Sequence, residues 1–176
     1  MNNAIGRVTS ILSIPYGYTV SLWAAGALTI RRLGWPSVLD VMLASLELRG
    51  VDVQRVALMN KDSLDMSPED HTLIAETSAR MARETDGVVV VHGTDRLADT
   101  GERIVEVAGT PASPIVFTGA MRPYELRTTD ALQNLTEALL AVQIVPPGVY
   151  VAMHNQVLQF PGVVKDRDAG TFRKVG

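Results

Sequence analysis

An imidazole, a hydroxyl and a carboxylate stand within four residues at His92, Gly93, Thr94 and Asp95, directly after the valine run Val88 to Val91. A hydroxyl beside a carboxylate suits two tasks: polarising a nucleophile and pairing with a cationic group. Gly93 allows a sharp turn or a close approach of backbone to ligand. Two further stretches present polar or turn-forming groups after apolar runs: K-D-S-L-D-M at 61 to 66, with Ser63 at its centre, and F-T-G-A-M-R-P at 117 to 123, with Ala120. Together they supply hydroxyls, a carboxylate and backbone amides, without a phosphate-cradling glycine motif or a metal-ligand spacing. Amide or ester chemistry through a hydroxyl is the enzymatic class that fits, with no metal and no cofactor. The same residues also have plain structural readings. Thr94 and Asp95 could cap a following helix, Ser63 could be a turn serine, and Lys61, Asp62 and Asp65 a solvated face. His71, His92 and His154 read as hydrogen-bonded structural histidines.

For these groups to meet, the elements before them must end on one edge. Gly87 to Val91 is a short, β-branched apolar run of the kind buried on both faces in a parallel sheet. Pro36 and Ser37 introduce a helix striped by Leu39, Met42, Leu43 and Leu46 and stopped by Gly50, with Ser37 and Asp40 as a capping pair. Val51 to Met59 reads as a strand. Ser67, Pro68, Glu69 and Asp70 start a helix expected to run to about Glu84. Leu97, Gly101, Ile104 and Ala108 mark a shorter helix whose interior glycine weakens it. Pro114 to Thr118 is a strand. Leu132, Leu135, Leu139 and Val142 stripe a helix that begins near Thr129 and Asp130 and is closed by Pro146, Pro147 and Gly148. Gly148 to Met153 and Gln156 to Phe160 read as strands around a His154-Asn155 turn. Strand and helix alternating at this spacing predict a three-layer α/β/α sandwich with a mostly parallel sheet, in a single domain. Its active edge collects the loops at Ser63, Thr94 and Ala120.

Composition narrows the partners. The chain has 176 residues, enough for one domain that buries roughly two-thirds of its unfolded surface. Sixteen basic against nineteen acidic residues give a net charge of -3. The basic residues are scattered, which argues against nucleic acid and polybasic membrane binding and for a small polar ligand. With no cysteine, thiolate catalysis, disulfides and zinc-thiolate sites are excluded, and a cytoplasmic location is the default expectation. Val8 to Ile30 carries no charge and is flanked by Arg7 and by Arg31 and Arg32. Pro15, Gly17 and six hydroxyl residues make it a poor membrane span or signal, so it reads as one or two core strands with a turn.

Five ordered stretches then carry a resemblance: K-D-S-L-D-M, G-V-V-V-V-H-G-T-D at 87 to 95, F-T-G-A-M-R-P, T-D-A-L-Q-N-L at 129 to 135 and P-P-G-V-Y-V-A-M at 146 to 153. From about Pro36 onward the chain resembles the amino-terminal domain of the bacterial-type L-asparaginase family, and in particular its short, single-domain members. The resemblance implies hydrolysis of L-asparagine to L-aspartate and ammonia through a hydroxyl nucleophile, by a homodimer or higher homo-oligomer that lacks the family's carboxyl-terminal domain. It implies that Thr94 and Asp95 are catalytic, Asp95 also holding the substrate's α-amino group, that Ser63 holds the α-carboxylate, with Leu64 replacing a glutamine of some members, and that the Ala120 backbone lies beside the reacting amide. Two departures accompany it. The family lysine that completes a threonine, aspartate and lysine set falls at Ser113, which implies impaired turnover. Residues 1-35 are atypical and lack the T-G-G-T-I motif that carries the nucleophile. One register, the one local similarity favours, makes Thr29 the nucleophile, within Val20 to Ile30. A second sets a strand near Ala4 to Val8, with Thr9 at the first motif threonine, Ser13 near the nucleophile position and Tyr16 as a lid tyrosine. A third reading takes residues 1-35 as a non-homologous replacement. The alternative function is a non-catalytic amino-acid-binding protein or a degenerate, oligomerising remnant of the family.

Overall fold

The β-branched, two-face-buried character of Gly87 to Val91 is realised in the middle of a sheet. In the computed structural model, which describes residues 6–13, 38–124 and 126–176, six strands run in the order β2, β1, β3, β4, β5, β6. They are β1 (Gly6–Ser13), β2 (Val51–Met59), β3 (Gly87–Val91), β4 (Ile115–Thr118), β5 (Val149–Met153) and β6 (Gln156–Gln159). Neighbouring strands are parallel except β6, which returns antiparallel to β5. A separate antiparallel hairpin, β7 (Val163–Asp166) and β8 (Thr171–Lys174), follows.

Alternation along the strands divides the core in two. Val88, Val90, Ile115, Phe117, Val149 and Val151 face α2 (Pro68–Met81), α3 (Leu97–Ala108) and the hairpin's Val163 and Phe172. Val89, Val116, Tyr150 and Ala152 face α1 (Val38–Ala44) and α4 (Ala131–Ile144). This is the expected three-layer α/β/α sandwich around a mostly parallel sheet. Val88, Val89 and Val90 are fully buried, and a buried valine side chain contributes about 1.5 kcal/mol or more.

Local sequence explains the elements and two differences from expectation. Ser67 caps α2 in a full capping box with Asp70, with Pro68 in the first turn. The helix ends at Met81 rather than Glu84, because the amides of Arg83 and Glu84 fold into tight turns onto the carbonyls of Arg80 and Met81 and the Thr85 hydroxyl also donates to Met81. Helix α1 stops at Ala44, short of Leu46, and its expected cap Ser37 lies outside the described residues. Gly101 does not weaken α3 without return: a Cβ there would overlap the Phe160 ring, so the glycine lets the end of β6 pack against the helix. The hairpin of β7 and β8 is an addition that the hydrophobic pattern alone does not announce.

The sheet order places a topological switch between β1 and β3. From β1 the chain passes to β2 on one side, and then to β3 on the other. Ligands of open α/β sheets bind in the crevice beyond the carboxyl ends at such a point. Here Leu12 is level with Val91, so Ser13 and His92 both emerge at it.

Candidate active site

Strands β2, β3 and β4 are parallel, so the residues just after each share one edge: Ser63, the His92 to Asp95 loop and the Gly119 to Arg122 loop. Ser63 opens a 3-10 turn, Ser63–Asp65, capped by the Asp62 carboxylate, and is 1% exposed. Lys61, its side chain still open to solvent, pairs with Asp70 at 2.5 Å, tying this loop to the start of α2. The loops after β3 and β4 are in direct contact. A Cβ on Gly119 would overlap the His92 carbonyl and press on Thr94 Cγ2 at 3.2 Å, so only glycine allows this approach.

Thr94 and Asp95 do not cap the following helix. The N-cap of α3 is Arg96, whose side chain makes no capping bond. Both groups instead meet a cation. Lys165 Nζ donates to Thr94 Oγ1 at 2.9 Å and to Asp95 Oδ1 at 3.0 Å. Arg167 approaches the same Asp95 oxygen at 3.2 Å. Burial raises the Asp95 pKa, but the hydrogen bond and charge of Lys165, followed by the charge and hydrogen bond of Arg167, outweigh it and hold the carboxyl below its ordinary value. The aspartate is therefore ionised at neutral pH. Because Thr94 Oγ1 accepts from the ammonium, its own proton remains free to be donated elsewhere.

Lys165 lies outside every motif quoted above, and the expectation that Ser113 stands in the place of an active lysine is corrected. Ser113 precedes β4, and in a parallel sheet the residue before a strand lies at the opposite edge from the residue after one. It is buried there, with its hydroxyl unpartnered among the described residues. The ammonium that meets Thr94 and Asp95 comes from β7, 71 positions after Thr94 in the chain. The signal for it is the short run Val163-Val164-Lys165, two valines followed by a lysine.

Behind Thr94 lies a buried chain of hydrogen bonds whose direction can be worked out. His92 Nδ1 is 2.6 Å from the Gly93 carbonyl, which can only accept, so Nδ1 carries the proton. Burial pushes the His92 pKa down to about 4, so the ring is neutral and Nε2 must accept. The donor is Thr100 Oγ1 at 2.9 Å, the Arg96 carbonyl at 3.2 Å being its longer alternative. Thr100 then accepts from His71 Nδ1 at 2.6 Å, and His71 Nε2 has no partner among the described residues. Burial likewise lowers the His71 pKa. His92 and His71 are thus both engaged within this buried chain.

The loop beside Ala120 has its own support. Asp130, 1% exposed, accepts from the backbone amides of Met121 and Arg122, from Asn134 Nδ2 and from His154 Nε2. Burial raises its pKa, but these donors together bring it below the ordinary aspartate value. Asn134 also donates to the Gly119 carbonyl. Ala120 itself is half-buried.

Of the hydroxyls weighed as nucleophile, Ser13 ends β1 at the crevice, whereas Thr9 lies within the strand, level with Val88. Thr29 and Tyr16 lie outside the described residues. Among the described residues no group of three or more His, Cys, Asp or Glu side chains is placed to hold a metal ion, and no helix is long and apolar enough to cross a membrane.

Residues 32–171 match the family model described as Asparaginase, N-terminal. The chain is 33% identical over 121 residues to the L-asparaginase of Thermococcus kodakarensis, an overlap of 69% of this chain and 37% of that protein. It is 29% identical over 138 residues to the probable periplasmic L-asparaginase of Haemophilus influenzae, covering 76% of this chain and 39% of that one. Among solved structures, the probable cytoplasmic L-asparaginase from Campylobacter jejuni superposes with a TM-score of 0.77 at 26% identity, over 96% of this chain and 53% of the other. The chain spans about half or less of the length of each of these proteins.

Proposed function

Because the chain belongs to the asparaginase family, we propose that it is an amidohydrolase that releases ammonia from the side-chain amide of a small amino acid, L-asparagine before L-glutamine. The observation that carries this reading is the Lys165 ammonium on both Thr94 and Asp95. It supplies the cation whose apparent loss at Ser113 argues for impaired turnover.

In this reading Asp95, ionised and facing the crevice, receives the substrate's α-ammonium. The Ser63 turn receives the α-carboxylate. A hydroxyl oxygen attacks the amide carbon, and its proton passes by way of Thr94 to the departing nitrogen. The C–N bond breaks, ammonia leaves, and an ester remains on the enzyme. A water molecule, polarised by the same threonine, adds to the ester and restores the hydroxyl. Gly119 and Ala120 lie beside the reacting amide. The attacking hydroxyl is assigned to Ser13, since β1 fills the strand position next to β3 and ends there. Thr29 is the competing assignment.

The reading extends to a cytoplasmic homo-oligomer, in line with a chain that has no cysteine and exposes Leu140 and Ile144 on α4. Ammonia release from L-asparagine and L-glutamine is the test, with Thr94→Ala, Ser13→Ala and Thr29→Ala as variants. Turnover lost in Thr94→Ala and Ser13→Ala but kept in Thr29→Ala is the expected result. No turnover by the unaltered protein would sink the enzyme reading, and loss confined to Thr29→Ala would transfer the nucleophile.

A further inference from the structure

Lys165 stands on a two-stranded hairpin that joins no ladder of the main sheet, although its ammonium must be held against Thr94 to act. Apolar packing holds the hairpin down through Val163 and Phe172, both 2% exposed, and Phe172 is the residue level with Lys165 across the ladder. Such packing is non-directional and fixes depth better than lateral position. Directional bonds add to it: the Gly162 amide donates to Glu102 of α3 and the Lys174 ammonium to the Gln159 and Pro161 carbonyls, and the one that reaches the loop beside Ala120 comes from His154, at the turn between β5 and β6. Its Nε2 lies 2.8 Å from Asp130 Oδ2, and its Nδ1 lies 3.1 Å from Thr171 Oγ1 on β8. Thr171 is level with Asp166, the neighbour of Lys165. Asp130 in turn grips the amides of Met121 and Arg122, and the His154 backbone amide donates to Asn134, which holds the Gly119 carbonyl.

We infer that His154 is a positioning residue: it couples the loop beside the reacting amide, through Asp130, to the hairpin that carries Lys165, through Thr171. The inference rests on the amidohydrolase reading for its catalytic consequence but not for its mechanical one. Proton bookkeeping shows why the tie is robust. Asp130 is ionised and only accepts, so His154 Nε2 is the donor. If the ring is neutral, Nδ1 accepts from the Thr171 hydroxyl; if it is protonated, Nδ1 donates to the Thr171 oxygen. The link therefore survives either charge state, and a residue with no hydroxyl at 171 breaks it in both. The backbone at His154 is in the left-handed region, with φ 52, which aims the ring at both partners from a tight turn and not from a strand.

The experiment uses Thr171→Val, with Thr171→Ser as the conservative control and His154→Gln as a variant that keeps a donor toward Asp130 but loses the bond to Thr171. Two readouts are taken on each full chain: kcat and KM for ammonia release, and amide hydrogen exchange. Thr171→Val and His154→Gln should each lower kcat about tenfold, with KM changed less than about twofold, because neither substitution removes a group that touches the substrate. Exchange at Val164 and Arg173, which alternation along the ladder makes a hydrogen-bonded pair, should quicken about tenfold while Val88 to Val90 stay protected. Thr171→Ser should restore both. Unchanged hairpin exchange in Thr171→Val would overturn the inference, as would a rise in KM with kcat intact. If the unaltered protein releases no ammonia, the function falls, and the exchange measurement still decides the coupling.

Discussion

The two halves of the site are held in opposite ways. Thr94 follows a buried inner strand of the sheet, with neighbours hydrogen-bonded on both sides, and its loop is braced by a neutral histidine in a buried chain of bonds. Lys165 comes from a hairpin outside the sheet and is braced by a charged cluster around Asp130. The first half draws its precision from the fold itself, so it costs little to hold once the sheet forms. The second is set by a few side-chain bonds and is the half in which small changes should show in rate before they show in stability. The difference teaches where each kind of mutation will act.

The largest expected effect is at the point where the halves meet. Lys165→Met keeps the length and apolar stem but removes the cation. It should lower kcat/KM by about a thousandfold, within the range general acid-base groups contribute, while the melting temperature shifts by only a few degrees. Ammonia release and thermal unfolding on the same preparation check it. An activity loss no greater than tenfold would show that the ammonium is not part of the chemistry.

Acid should next separate the two braces. Burial holds the folded His92 pKa near 4 against an ordinary value of 6.5, so between these values the unfolded chain binds a proton that the folded one refuses. Stability contributed by the neutral ring is fully present above about pH 6.5 and is lost as pH falls toward 4, up to roughly 3 kcal/mol. His71 acts in the same sense. The Asp130 carboxyl is shifted downward, so its contribution is present above the ordinary aspartate value of 3.8 and is lost only as pH falls below it. Urea unfolding from pH 7 to 3 should therefore show a decline starting near pH 6.5 and a second one below 4. A flat profile between 6.5 and 4.5 would contradict the buried neutral His92.

These two halves also differ in how far the sequence reveals them. The valine run, the abrupt switch to His92, Gly93, Thr94 and Asp95, and the helices around them obey local rules of burial period and capping, so the sandwich and its active edge can be read from Gly87 onward. Lys165 cannot be. Its position depends on the hairpin's return across α3, a tertiary event with only a Val-Val-Lys run to mark it, and local motif order points instead to Ser113. The sheet slot of β1 is legible only as a choice between registers, because Val8 to Ile30 offers several apolar stretches of similar character. The Asp130 and His154 cluster is hidden for a different reason: its members are 24 residues apart and meet only after β5 has turned.

A cut through the Thr94 brace comes next in size. Thr100→Val is nearly isosteric and leaves His92 Nε2 without a donor and His71 Nδ1 without an acceptor in a site where Thr100 is fully buried. The cost should be about 1–3 kcal/mol, that of stranding buried polar groups, seen as a lower urea midpoint with unchanged slope. The matching loss on the other side, Thr171→Val, should cost less stability and more rate, which is the contrast between the halves in its most direct form. Equal stability losses would erase it.

Arg167 is the smallest case and the most discriminating, because it makes the same kind of contact as Lys165 on the same Asp95 oxygen. The two differ in setting. The Lys165 side chain is 15% exposed and that of Arg167 is 70% exposed. Water and salt screen the outer pair, so it should be worth less than about 1 kcal/mol. Arg167→Ala should accordingly leave the melting temperature nearly unchanged and kcat within about threefold, with any effect on KM for L-asparagine fading as sodium chloride is raised from about 0.05 to roughly 0.5 M, where the Debye length falls toward the pair's own separation. Lys165→Met should show no such fading. If Arg167→Ala instead matched Lys165→Met in kcat at high salt, burial would not be what distinguishes the two cations, and the catalytic cation would have to be shared between Lys165 and Arg167.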